Sequence, residues 1–388
     1  MNSRIEYLPT RRAFLRGTSA LSLSLMLGDH LSALAAEPMR LQRLQRSETP
    51  LTLETPLTAL DQPVTPNDLF YVRNHFPTPA IQANAWRLRV VGAVERELEL
   101  SLEDLRRMTA RSVTMTLECA GNSRSALTPV VRGVQWGNGA VSTAEWTGVS
   151  LIDVLNRAGL RAGAVDVVLE GADRGEIASE PRSPGVIHFA RSVPIAKARQ
   201  QSVVLAHRMG GADLPPNNGF PVRAIVPGWF GMASAKWVTR IRVEAAPSDN
   251  HFMVKGYRYV TPGADPAQAA PVEELRIKSL ITRPLADARV PRGVVHVSGF
   301  AWAGPAGVAR VEISSDEGKS WRPATFTDEN AGLAWRAWTA SVVARPGYFT
   351  LMSRATDGAG VTQPAEANPN PGGYGNNSIH RVRIHVAA

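Results

Sequence analysis

"TLECAGNSR", residues 116–124, closes an apolar alternation and holds Cys119, the only cysteine among 388 residues. Val113, Met115 and Leu117 alternate with polar residues over 112–118, which predicts a half-buried strand stopping at the thiol. Gly121 then permits a tight turn. One cysteine forms no disulfide within its own chain. It is a small buried hydrophobe, a nucleophile or a metal ligand.

The stretches around it predict a mixed α+β region. Residues 86–94, 165–170, 202–206, 220–226 and 236–244 read as strands. Ser101, with Asp104 three residues on, caps a short helix. Ser150 caps a second helix through Ala158, and Gly159 stops it. Before it, Pro50, Pro56, Pro63, Pro66, Pro77 and Pro79 mark an extended wrapping segment. After about residue 275 helix signals vanish. Short strands recur over 275–282, 293–302, 308–314, 321–326, 333–343, 348–356 and 379–386, with a hairpin-type turn at Asp316-Glu317-Gly318. That pattern predicts an immunoglobulin-like sandwich with Trp302, Trp321 and Trp338 in its core.

The chain opens with Thr10-Arg11-Arg12-Ala13-Phe14-Leu15, a short apolar run and a small-residue site at Ala35-Ala36. These are the parts of a bacterial twin-arginine export signal. The expected organisation is a signal over 1–36, a mixed α+β domain over 37–250 and a sandwich over 251–388. No later apolar run is long enough to span a membrane, and the periplasm is the expected location. A free thiol in that oxidising compartment is exposed to damage unless it is capped or coordinated.

Net charge is +9. The leader holds Arg4, Arg11, Arg12 and Arg16 against Glu6 and Asp29, so about +7 stays with the remainder. That balance suits anionic ligands. The sequence carries no nucleic-acid-binding motif, no P-loop, no dinucleotide fingerprint and no His or Cys pair at zinc spacing.

Five stretches in order carry a resemblance: "FYVRNHFP" (70–77), "TLECAGNSR" (116–124), "GVQWGNGAVSTAEWTGVSL" (133–151), "NNGFPVRAIVPGWFG" (217–231) and "AKWV" (235–238). Together they resemble the sulfite oxidase family, from about Pro66 to the C-terminus. The resemblance implies a molybdenum–molybdopterin cofactor with Cys119 as its protein ligand to the metal. It implies oxidation of sulfite or a related sulfur oxyanion, electrons passed to a cytochrome c, and a homodimer through residues after about 275. No haem is expected in this chain.

Residue by residue, it places Arg73 at the substrate end and His75 against the cofactor. Arg124 falls near the pocket, Trp136 on its wall, and Tyr257 beside the reacting centre. Asp173, Asn218, Arg223, Ser234 and Lys236 fall where the family binds the pterin and its phosphate. Arg223 in an apolar strand also asks for an anionic partner on its own account. One departure stands out. The loop "NPNPGGYGNNS" (368–378) puts Gly372 where animal members carry an arginine near the substrate anion. Two rivals follow: the same cofactor acting on another sulfur compound (a sulfane dehydrogenase or sulfoxide reductase), and a cofactor-free binding protein.

Overall fold

The computed structural model describes residues 41–261, 263, 265, 268–329 and 332–388. The signal expected over 1–36 lies outside the described residues. Strands dominate. The longest α-helix among the described residues is Leu151–Ala158, so the expected α+β balance gives way to a mostly β architecture with short connecting helices. Leu102–Arg107 has the predicted cap in full: the Ser101 side chain accepts from the Asp104 N–H, and the Asp104 carboxylate accepts from the Ser101 N–H. Ser150 holds the cap position of the second helix but donates its hydroxyl to the Gln201 carbonyl at 3.0 Å.

Two five-stranded sheets build the first half. In one, Ala212–Asp213, Val204–Met209, Val141–Ser150 and Ala110–Glu118 lie side by side, and Arg223–Ile225 also pairs with Val204–Met209. In the other the order is Leu98–Ser101, Arg87–Gly92, Val238–Glu244, Asp166–Glu176 and Val186–Pro194. The expected strand over 220–226 shrinks to Arg223–Ile225, because Pro221 brings no N–H and Gly219 turns the chain at φ +114°. The proline-rich segment is more than a wrap. Leu44–Ser47, Thr52–Glu54 and Val72–Arg73 form a small sheet in which Thr52 faces Arg73.

The strand that ends at Cys119 differs from expectation in one respect. Its last residues, Met115 to Glu118, are buried on both faces, not alternately. The second half of the chain covers the outer face. Trp335 N–H donates to Thr116 Oγ1 at 2.7 Å, and Trp302 Nε1 donates to Glu118 Oε2 at 2.8 Å.

The second half is two facing sheets. Lys278–Arg283, Gly293–Trp302, Arg336–Ala344 and Thr325–Phe326 form one; Arg289–Val290, His380–Val386, Gly347–Asp357, Val308–Ser314 and Arg322–Pro323 form the other. Ile281, Val297 and Trp338 from the first meet Val311, Leu351 and Ile384 from the second in one apolar cluster. Trp338 lies in that cluster as expected. Trp302 does not: it joins the larger cluster that runs from Leu60 to Trp335 and so belongs to both halves. Trp321 is half-buried, with the Arg354 guanidinium 4.1 Å from its ring centroid. Among the described residues no helix is long and apolar enough to cross a membrane.

Candidate active site

The strand Ala110–Glu118 delivers Cys119 to the wall of a pocket. The Cys119 N–H donates to the Ala140 carbonyl at 2.9 Å, and its carbonyl accepts from the Asn122 N–H at 2.9 Å. The backbone carrying the thiol is thus fixed on both sides. The empty space here is about 580 Å³ including its open mouth, within the range usual for small-molecule sites. Its lining brings together Arg73, His75, Asp173, Arg223, Ser234, Lys236 and Tyr257 with the thiol.

Arg73 sits at the end of the small N-terminal sheet, and its Nη1 donates to the neighbouring Asn74 carbonyl. His75 Nε2 and Tyr257 Oη lie 2.6 Å apart. The His75 ring stacks on Phe189 with centroids 4.5 Å apart. Burial, then the Arg73, Lys236 and Arg191 charges, hold the His75 pKa well below its ordinary value, so the ring is neutral. Burial pushes the Tyr257 hydroxyl pKa up, and it stays protonated.

The lining also carries buried basic side chains. Arg223 is 5% exposed and donates to the Ser234 carbonyl at 3.2 Å and the Asn218 carbonyl at 3.3 Å. Desolvation lowers its pKa to about 10. Lys236 Nζ donates to Asn74 Oδ1 and, at 2.9 Å, to the Asn217 carbonyl. Burial and the Arg223 charge lower the Lys236 pKa well below normal. Gly219 makes this approach feasible: a Cβ there would stand 2.9 Å from Arg223 Cβ and 3.2 Å from Lys236 Cβ. Two buried polar atoms here have no partner: Asp173 Oδ1 on the lining, and Asn218 Nδ2, off the lining but beside Arg223. Burial raises the Asp173 pKa to about 7, against the opposing pull of Lys236.

Paired cations beside an unsatisfied donor and an unsatisfied acceptor describe a complementary ligand. It carries negative charge and, beside it, hydrogen-bonding groups. A pterin with a phosphate tail has that chemistry, and a soft thiolate suits the metal that its dithiolene sulfurs hold. Among the described residues no three His, Cys, Asp or Glu side chains converge as a metal site. A metal held by Cys119 would need its other ligands from a cofactor. The residues fit the group.

Three expected residues are elsewhere. Asn218 is not on the lining, where its neighbour Asn217 stands instead; it meets the site through its carbonyl, which accepts from Arg223 Nη1 at 3.3 Å. Trp136 is fully buried behind Tyr71, edge-on with ring centroids 6.3 Å apart, and does not line the pocket. Arg124 is not in the lining either. Its Nε and Nη2 donate to the Gly372 carbonyl at 3.1 and 2.9 Å, and its Nη1 to the Val134 carbonyl at 2.8 Å. It fastens the 368–378 loop, which also meets the thiol segment through Gly375 N–H to the Ala120 carbonyl at 2.7 Å. From that loop Tyr374 stacks on Tyr257, centroids 5.1 Å apart. Sequence reasoning missed Tyr71, Asn74, Asn217 and Phe189 on the lining, and Arg191 behind it. Arg191 carried a usable signal, since it stands in an apolar strand just as Arg223 does.

Residues 75–252 match the oxidoreductase molybdopterin-binding domain, and residues 269–387 match the Mo-co oxidoreductase dimerisation domain. Mitochondrial sulfite oxidase of Rattus norvegicus is 38% identical over 373 residues, covering 90% of this chain and 67% of that protein. Sulfite oxidase of Arabidopsis thaliana is 32% identical over 388 residues, covering 92% of this chain and 97% of that one. The chain belongs to the sulfite oxidase family. The fold is also similar to that in the crystal structure of the sulfane dehydrogenase SoxCD from Paracoccus pantotrophus. That chain superposes with a TM-score of 0.78 at 26% identity, covering 92% of this chain and 93% of that one. Family membership makes the protein a molybdopterin-dependent oxidoreductase and sets aside the cofactor-free binding protein.

Proposed function

We propose that this sulfite oxidase-family protein oxidises sulfite to sulfate in the periplasm and passes the electrons to a cytochrome c. One observation carries the reading: the sole thiol lines one pocket with Arg73, two buried basic side chains, Arg223 and Lys236, and Asp173, whose Oδ1 has no partner. Arg223, Lys236, Asp173, Asn218 and Ser234 would hold the pterin and phosphate, and Cys119 the metal. The bound cofactor supplies two-electron oxygen-atom transfer and its return by single-electron steps.

The chain's own residues do the rest. Arg73 offers a fixed positive charge to an incoming oxyanion. With His75 as its neutral Nε2–H tautomer donating to Tyr257 Oη, the protonated phenol keeps its own O–H as a hydrogen-bond donor for the substrate end. Phe189 and Phe252 pack on His75 and keep bulk water from that pair.

Oxidation of a sulfane sulfur is the second reading. The SoxCD superposition favours it, as does Gly372, whose carbonyl engages Arg124 where the family resemblance puts a substrate arginine. Export by the twin-arginine route, an immunoglobulin-like assignment of the sandwich and a homodimer complete the proposal. Exposed Val294 and Val343 face each other across neighbouring strands and offer an apolar patch for a second copy. Periplasmic fractions should contain the protein with molybdenum and reduce cytochrome c on adding sulfite, at a dimer mass by light scattering. Turnover of sulfane sulfur but not sulfite would replace the first reading with the second.

A further inference from the structure

The strand Val186–Pro194 presents Phe189 and Arg191 on one face, two residues apart. Phe189 stacks on His75, and the Arg191 guanidinium lies 5.4 Å from the centroid of the Tyr257 ring. One strand thus backs both members of the His75–Tyr257 pair. Arg191 is 0% exposed. Its Nη1 donates to the Phe252 carbonyl, and its Nη2 to the Val272 carbonyl at 3.3 Å. Val272 N–H in turn donates to the Tyr257 carbonyl at 2.8 Å. The guanidinium fork therefore grips the chain on both sides of Tyr257.

That grip has something to hold. Tyr257 has φ +51°, a left-handed conformation that a bulky residue keeps only when its surroundings over-determine it. Arg191 forms no salt bridge among the described residues, and its Nε has no partner. Backbone carbonyls alone do not require a full charge, which is costly to bury. The charge has a second use against the π face of a phenol, where it strengthens the hydroxyl as a donor.

We infer that Arg191 is the positioning residue of the Tyr257–His75 pair, setting the phenol's place and donor strength from behind the pocket. The inference rests on the reading that Tyr257 acts on substrate. The test uses holoenzyme carrying 13Cζ-labelled tyrosine, with Arg191→Met, Arg191→Lys, Tyr257→Phe and the Arg191→Met/Tyr257→Phe double variant. The Tyr257 resonance, assigned by its loss in Tyr257→Phe, should move in Arg191→Met and return towards wild type in Arg191→Lys. Sulfite turnover should fall by about 10- to 100-fold in Arg191→Met, as a misplacement near 1 Å produces, and recover in part in Arg191→Lys. In the Tyr257→Phe background the Met change should add less than about twofold, since its target is already gone. An equal loss in both backgrounds, or an unmoved resonance, overturns the inference. Where the Met variant does not fold, a Lys variant equal to wild type in both readouts overturns it instead. A wild-type enzyme inert to sulfite would defeat the functional reading, and the resonance alone would then decide the positioning role.

Discussion

Replacing Lys278 with methionine should cost more stability than any surface change, because it strands a buried carboxylate. Lys278 Nζ and Glu118 Oε1 lie 3.1 Å apart with side chains only 3% and 4% exposed. At that separation and an effective dielectric of roughly 20 the attraction is about 5 kcal/mol. Without the lysine, Glu118 keeps its bonds from Trp302 Nε1 at 2.8 Å and Asn122 Nδ2 at 3.0 Å but has no counter-charge. Breaking such a pair from one side costs about 3–5 kcal/mol. Glu118→Gln should also cost stability by leaving the ammonium without a counter-charge, with the Ser123 hydroxyl at 2.8 Å, the Trp302 ring and a neutral amide oxygen around it. The double variant removes both charges, so its loss should fall well below the sum of the singles. Urea unfolding followed by tryptophan fluorescence and circular dichroism gives the cycle. A Lys278→Met loss under about 1 kcal/mol, or losses that simply add, would refute the reasoning.

Cys119→Ser should leave the fold intact and abolish turnover, read by circular dichroism beside steady-state rates; wild-type rates would remove the thiol from the chemistry. Trp136→Phe should leave kcat/KM within about twofold, because Trp136 lies behind Tyr71, while Trp136→Ala should cost about 3–5 kcal/mol of stability in the same unfolding assay. Asp173 predicts a pH dependence in cofactor-free protein. Its folded pKa is raised from 3.8 to about 7, so its contribution is full below about pH 4 and is lost as pH rises through 7. Asp173→Asn should flatten that part of a Tm-against-pH curve, and an unchanged curve would contradict the assignment.

Much of this was readable from residues, for identifiable reasons. The alternation before Cys119 has the strand period, and Ser101 with Asp104 is a local cap that needs no tertiary information. The strands after 275 read well because turn residues separate them. What was not legible depends on neighbours distant in sequence. Alternation states which residues share a face, not what covers it. The strand at Met115–Glu118 therefore read as half-buried until Trp302 and Trp335 closed its other side. The same blindness put Trp302 in the wrong core; it was the family resemblance, not alternation, that put Trp136 on the pocket wall. Asn74 and Asn217 earn their place only through the Lys236 ammonium, which no spacing rule connects to them.

The loop at 368–378 makes the pocket a record of synthesis. Arg124 bonds to Gly372, 248 positions later, and the Ser123 carbonyl accepts from Asn376 Nδ2 at 2.9 Å, 253 positions later. A nascent chain that has already made its thiol strand, its arginine wall and even Tyr257 still lacks the clasp that holds the thiol turn and the ring stacked on Tyr257. Any cofactor that requires the closed arrangement is thus withheld from incomplete chains.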